Sequence, residues 1–148
     1  MDNAEEQLYA VRLPLQGLTL VVPYSVMAEI INWEVPDSTT LRQWRLAEID
    51  WRGWKVPLVS LELACGQVFM PPAGRVRVAI LYTLGGDRQR PYMAVLLNGV
   101  PRTERVSRSD LVGAGGVGCP LIAFMARLRD QDVGLLDIEE LERRIAAA

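Results

Sequence analysis

A chain of 148 residues is long enough to bury one sizeable core, and half of its residues are hydrophobic, which excludes a disordered chain. Its net charge of −2 gives no electrostatic footprint for nucleic acid or an anionic membrane. It has no histidine, which removes the commonest general base, the usual partner of a Ser or Cys nucleophile, and the commonest metal ligand. Two cysteines, Cys65 and Cys119, are too few for a zinc site without carboxylates. No run approaches the roughly 20 apolar residues of a membrane span. The start, Met1–Glu6, is acidic and lacks the apolar region of a signal peptide, so reduced thiols in a cytosolic protein are expected.

In chain order, residues 1–7 are polar and expected to fray. Leu8–Leu15 alternates, with Tyr9, Val11, Leu13 and Leu15 on one face; Gln16-Gly17 can turn, and Leu18–Pro23 returns as a second strand. Ser25 can cap a short helix over Val26–Ile31, where Val26 with Ile30 and Met27 with Ile31 lie four apart as an apolar stripe. Asn32–Arg45 is polar, holds Pro36 and the run Asp37–Thr40, and reads as a loop.

Leu46–Trp51 and Trp54–Val59 flank Arg52-Gly53, and Gly53 can take the positive φ of a tight reversal, so a hairpin is expected. Pro57 cannot donate to a ladder and places its strand at an edge or a bulge. Ser60 caps a one-turn helix, Leu61–Cys65, and Gly66 stops it. Cys65 has no basic neighbour to activate it and reads as a small buried hydrophobe. Trp33, Trp44, Trp51 and Trp54 cluster in the sequence; such residues fill cores or form docking patches. Trp44, among Arg42, Gln43 and Arg45, is the best placed for the surface.

Met70–Gly74 is a turn-rich link near the middle of the chain. Val76–Leu84 and Tyr92–Leu97 read as strands about a charged loop, followed by Asn98-Gly99. Arg102–Arg108 continues as a polar strand whose Arg102, Arg105 and Arg108 form a solvated face. Gly113–Gly118 fits G-x-G-x-x-G, but Cys119-Pro120 and a strand follow it, which is the context of a loop and not of a dinucleotide site. Pro120–Leu128 is apolar on both faces and should be a buried central strand, and Val133–Leu136 the last one. Asp137 and Glu140 form a capping pair for a final helix with Ile138, Leu141 and Ile145 as its stripe.

Several of these stretches resemble the CheW-like chemotaxis coupling domain. Arg52, Gly53, Pro57 and Leu61 fit an R-G-x-x-x-P-x-x-x-L segment. Val26–Ile30 resembles a V-x-E-I segment with one residue inserted before the Glu, Ala94–Val100 fits G-x-x-V-D-x-V with Asn98 for the Asp, and Leu135–Ile138 matches the closing L-L-D-hydrophobic run. The Ser107–Pro120 segment is Gly-rich and departs from the pattern, which suggests a divergent member, as in a pilus-type chemosensory system.

The resemblance implies a single mainly β domain over 1–148. It would consist of two SH3-like five-stranded barrels that share a hydrophobic core, meet near residues 70–75, and carry a few short helices and a C-terminal helix. It also implies a non-catalytic cytoplasmic adaptor, without cofactor or metal, that joins the cytoplasmic tip of a methyl-accepting chemoreceptor to the regulatory domain of a CheA-type histidine kinase. Family partners meet end to end through apolar strand ends, and a neighbouring groove takes the receptor helix. The residues expected at the interface are Arg52, Gly53, Trp54, Ile49, Val56, Trp44 and Asn98. The alternatives are a small β-barrel that binds nucleic acid through Trp44, Arg42 and Arg45, and an enzyme using Asp50, Cys65 or Asp110, whose spacing does not argue for proximity.

Overall fold

The computed structural model describes residues 7–36, 43–70, 72–85, 88–114 and 119–147. In chain order the elements are β1 (Gln7–Pro14), β2 (Thr19–Pro23), β3 (Met27–Glu34), β4 (Arg45–Trp51), β5 (Trp54–Val59), α1 (Leu61–Ala64), β6 (Arg75–Tyr82), β7 (Tyr92–Leu96), β8 (Arg102–Ser107), β9 (Leu111–Gly113), β10 (Ile122–Leu128), β11 (Gln131–Leu136) and α2 (Ile138–Ala147). They form two curled sheets, each a half-barrel. The first has six strands in the order β8-β1-β2-β11-β10-β9, and the second five in the order β3-β6-β7-β5-β4.

Period-two alternation explains why both sheets are apolar on two faces. On β1 and β2, Val11, Leu13, Leu20 and Val22 point into a core shared by the sheets. Their neighbours Ala10 and Val21 point the other way, into the hollow of the first sheet. On β6 and β7, Ala79, Leu81, Met93 and Val95 join the shared core, while Val78, Ile80, Ala94 and Leu96 fill the hollow of the second sheet. Helix α2 adds Ile138, Leu141 and Ile145 to the shared core, and α1 adds Leu61. As expected, Asp137 Oδ1 accepts the Glu140 N–H at 3.0 Å and starts α2, and Ser60 Oγ accepts the Leu63 N–H at 3.2 Å and starts α1.

The mainly β pattern and the shared core agree with the sequence reading; the division of the chain does not. The strands do not part at residues 70–75. The first sheet takes both ends of the chain and the second takes its middle. The chain leaves the first sheet through a 3₁₀ turn at Tyr24–Val26 and returns to it between β7 and β8.

Three local expectations also give way. The segment after Ser25 is a strand and not a helix: β3 pairs with β6 from Met27↔Leu81 to Glu34↔Arg75. Its Ile30, Ile31 and Trp33 suit a pleated strand, and the β6 ladder satisfies backbone groups that six isolated helical residues would leave open. The strand bearing Pro57 is not at an edge, since β5 lies between β4 and β7. Its pairing with β7 begins only at Leu58↔Ala94, so the missing N–H of Pro57 falls before the ladder. Strand β10 is flanked by β9 and β11, yet Phe124 is exposed. The three-residue β9 pairs only with Ala126–Leu128, and a register shift between Ile122 and Phe124 breaks the inward alternation.

The cysteines are not free thiols. Cys65 and Cys119 are joined in a disulfide across a Cα–Cα separation of 5.3 Å, within the usual range for a bridge. The Asp37–Thr40 run and most of the Gly113–Gly118 motif lie outside the described residues. Among the described residues, β9 ends at Gly113 and no helix opens before β10.

Candidate functional site

The Arg52-Gly53 reversal is built as its sequence requires. Trp51 pairs with Trp54, and both turn residues have positive φ, 47° at Arg52 and 82° at Gly53. That combination is the primed turn whose twist matches a hairpin. It projects the Arg52 guanidinium over the Trp51 ring, 4.8 Å from its centroid, and onto β3, where it meets Glu29 Oε1 at 2.6 Å. Both partners are partly solvated, so the pair orients the turn more than it stabilises the fold.

Glu29 lies on the rim of a cleft between the two sheets. Val11 of β1 and Thr103 of β8 line one side, and Met27, Ala28, Glu29 and Ile30 of β3 line the other. Tyr24 and Pro101, from the two places where the chain crosses between sheets, close its ends. The cleft holds about 210 Å³. Its β3 wall is shaped by a register shift between Met27 and Glu29, where Ala28 is the residue the sequence pattern carries as an insertion.

The ends of the half-barrels supply two apolar surfaces. At the second sheet, Tyr82, Tyr92, Trp54 and Trp51 stand in a row across β6, β7, β5 and β4. Tyr92 contacts Trp51 at 4.7 Å, Tyr82 at 5.6 Å and Trp54 at 5.9 Å between centroids. This row caps the hollow; Trp51 is buried, while Trp54 and Tyr82 remain about 40% exposed (39% and 44%). At the first sheet the hollow is open. A cavity of about 550 Å³ is lined by Leu8, Ala10, Val21, Val106, Leu111 and Leu135, with Tyr9 and Arg108 also at its lining. Arg105 lies against the Tyr9 ring, 5.3 Å from its centroid, and donates to the Tyr9 hydroxyl.

Below that mouth, Asp110 closes the turn between β8 and β9. Its Oδ2 accepts the backbone N–H of Ser107 at 2.8 Å and the Ser107 hydroxyl at 3.0 Å. The Ser107 N–H, then the Ser107 hydroxyl and the nearby Arg129 charge hold the Asp110 carboxyl below its usual pKa.

The residues expected at the interface separate into two groups. Arg52, Gly53 and Trp54 are exposed together at the hairpin tip, and Asn98 is exposed at the β7–β8 crossing, where its N–H donates to the Pro14 carbonyl at 2.8 Å. Ile49 and Val56 are buried at 6% and 1% exposure in the second hollow, so their side chains are core and not docking surface. Trp44 is half-buried against the shared core, and Arg45 donates to the Ile145 carbonyl. Sequence reasoning missed the cleft residues Tyr24, Ile30 and Thr103 and the mouth residues Leu8 and Leu111. The alternation of β1 marks Leu8 as facing the same side as Ala10, but only the pairing with β8 shows that this side is a mouth.

Among the described residues no group of three or more side chains could hold a metal ion, and no helix is long and apolar enough to cross a membrane. Asp50 pairs with Lys55 at 2.5 Å on the β4–β5 surface, and Asp110 is committed to Ser107, so the two do not form a catalytic set with Cys65.

No curated protein sequence matches the chain. Among solved structures it is similar to the scaffolding protein TtCheW from Thermoanaerobacter tengcongensis, with a TM-score of 0.70 over 92% of each chain at 12% identity, a likeness of fold. The family model described as the CheW-like domain matches residues 10–145. That family consists of non-catalytic scaffold proteins. With nearly its whole length matched, the chain belongs to the CheW-like domain family.

Proposed function

We propose that this chain is a non-catalytic adaptor of chemosensory signal transduction, which couples the cytoplasmic tip of a methyl-accepting chemoreceptor to the regulatory domain of a CheA-type histidine kinase. The observation that carries the reading is the presence of two unlike surfaces on one small molecule, a largely polar cleft and apolar strand ends. The cleft between the sheets mixes apolar side chains, Met27 and Ile30, with polar groups and is charged at its Arg52–Glu29 rim, which suits an amphipathic helix. The open mouth of the first half-barrel and the aromatic row of the second are strand ends, which suit another sheet of the same shape. An adaptor needs two such sites that work independently. In this role the protein acts in the cytoplasm beside a receptor array and neither binds nucleic acid nor enters the membrane.

Two exposed positions separate the sites. Ile30→Glu places a charge in the cleft, and Leu8→Glu places one at the mouth. Ile30→Glu should weaken binding of a receptor tip fragment at least ~10-fold while kinase-domain binding is kept, and Leu8→Glu should do the reverse. Loss of both partners with either variant, at unchanged thermal stability, would overturn the two-site reading. A nucleic-acid role is disfavoured by Trp44, the ring it would stack bases on, which packs against the shared core.

A further inference from the structure

The two cysteines of this chain sit 54 positions apart and in different halves of the molecule. Cys65 is the residue at the end of α1, which follows β5 of the second sheet. Cys119 lies two residues before Leu121 on the approach to β10 of the first sheet. The bridge between them therefore ties the two sheets together at the margin of the shared core.

We infer that the Cys65–Cys119 disulfide is a reversible redox latch between the two half-barrels, opened by a dithiol and closed by a disulfide of low molecular weight. Three observations support it. First, both cysteines are half-buried and not sealed, and Cys65 is followed by exposed Gly66, Gln67 and Val68, so a thiol can approach it. Second, the two sulfurs are unlike: the Leu121 N–H donates to Cys119 Sγ at 3.3 Å. A donor aimed at sulfur favours the thiolate there and makes Cys119 the better leaving group. Third, both side chains pack against an apolar core that has its own ladders and helices, so after reduction the two thiols need only rotate apart to van der Waals separation while the fold persists without the bridge.

The chemistry balances as thiol–disulfide exchange. One thiolate of the dithiol attacks Cys65 Sγ and forms a mixed disulfide there. The Cys65–Cys119 bond breaks, and its electron pair leaves on Cys119 Sγ, held by the Leu121 N–H. The second thiolate of the dithiol then attacks its own bridged sulfur and expels Cys65 as thiolate. Two electrons and two protons have passed to the protein, and the dithiol has become a cyclic disulfide. Oxidised glutathione reverses the process in two exchanges and leaves as two thiols.

The full-length chain tests this in dithiothreitol buffers of graded reduced-to-oxidised ratio, without denaturant. Alkylation followed by mass measurement counts free thiols, and a thermal scan reads stability. The bridge should open and close reversibly, with zero thiols labelled at the oxidised end and two at the reduced end. The closed form should melt on the order of 10 °C higher, from the entropy of the loop it closes. Cys65→Ser and Cys119→Ser should each abolish that difference. In those single variants, Cys119 should alkylate faster than Cys65 near neutral pH. A bridge that never forms in the folded chain, or that opens only once denaturant is added, overturns the latch. Faster alkylation of Cys65 than of Cys119 overturns the order of attack.

Discussion

At the scale of single residues, two side chains carry more than their exposure suggests. Arg52 spends a left-handed conformation, φ 47°, to reach across from the β4–β5 hairpin to Glu29. A non-glycine residue in that region loses about 1–2 kcal/mol, and an exposed ion pair returns at most ~1 kcal/mol, so the position is explained better by the rim of the cleft than by stability. Arg52→Glu sets a carboxylate against Glu29. It should weaken receptor-fragment binding several-fold while the thermal midpoint moves by only a few degrees, read side by side by calorimetry and a binding titration. Asp110 acts through its protonation. Its folded pKa is lowered, chiefly by the Ser107 N–H, so its contribution is present above the unfolded value and is lost as pH falls through the folded one. The stability gap between the native chain and Asp110→Asn should therefore be constant near neutrality and shrink below about pH 4. A gap that persists unchanged in acid would show that the carboxylate charge is not what Ser107 needs.

At the scale of elements, most strands could be read from alternation, because β1, β2, β5, β6 and β7 each alternate between two cores and so display their period plainly. The same alternation failed for β3. Val26, Ile30 and Ile31 also satisfy a helical stripe over a short window, and only the partner β6, about fifty residues away, decides between the two periods. The hairpin tip of the candidate site was legible for a local reason: Arg52-Gly53 lies between residues that pair with each other. The cleft was not, since its walls come from β1, β3 and β8, which no local pattern brings together. Nor was the disulfide, because a separation of 54 residues says nothing about distance in space. Helix α2 shows a further non-local contact. Glu142 on its outer face accepts the N–H groups of Leu84 and Gly85, which clamps the β6–β7 connection to the helix. Glu142→Ala should lower stability by about 1 kcal/mol, or a thermal midpoint lower by a few degrees, and should speed amide exchange at Leu84 and Gly85 over that at Leu81.

At the scale of the whole molecule, two half-barrels invite the expectation of separate unfolding, since each has its own cluster of buried apolar side chains. The largest core lies between them, however, and the fully buried Leu13, Leu81 and Leu141 in it come from the first sheet, the second sheet and α2. Neither sheet can lose its structure without exposing half of that core to water, so the two should melt as one unit. The chain offers two probes that test this. Trp33, Trp51 and Trp54 stand on β3, β4 and β5, and Trp44 packs on the shared core, so fluorescence follows the second sheet and its junction, whereas circular dichroism follows the strands of both sheets. In urea the two signals should change together, with one midpoint. Leu141→Ala leaves a cavity at the centre of the shared core and should cost about 2–5 kcal/mol. Both signals should shift to lower urea by the same amount. A fluorescence transition that stayed in place while the circular dichroism transition split would mean that the sheets are independent, and that the shared core joins them without making them one folding unit.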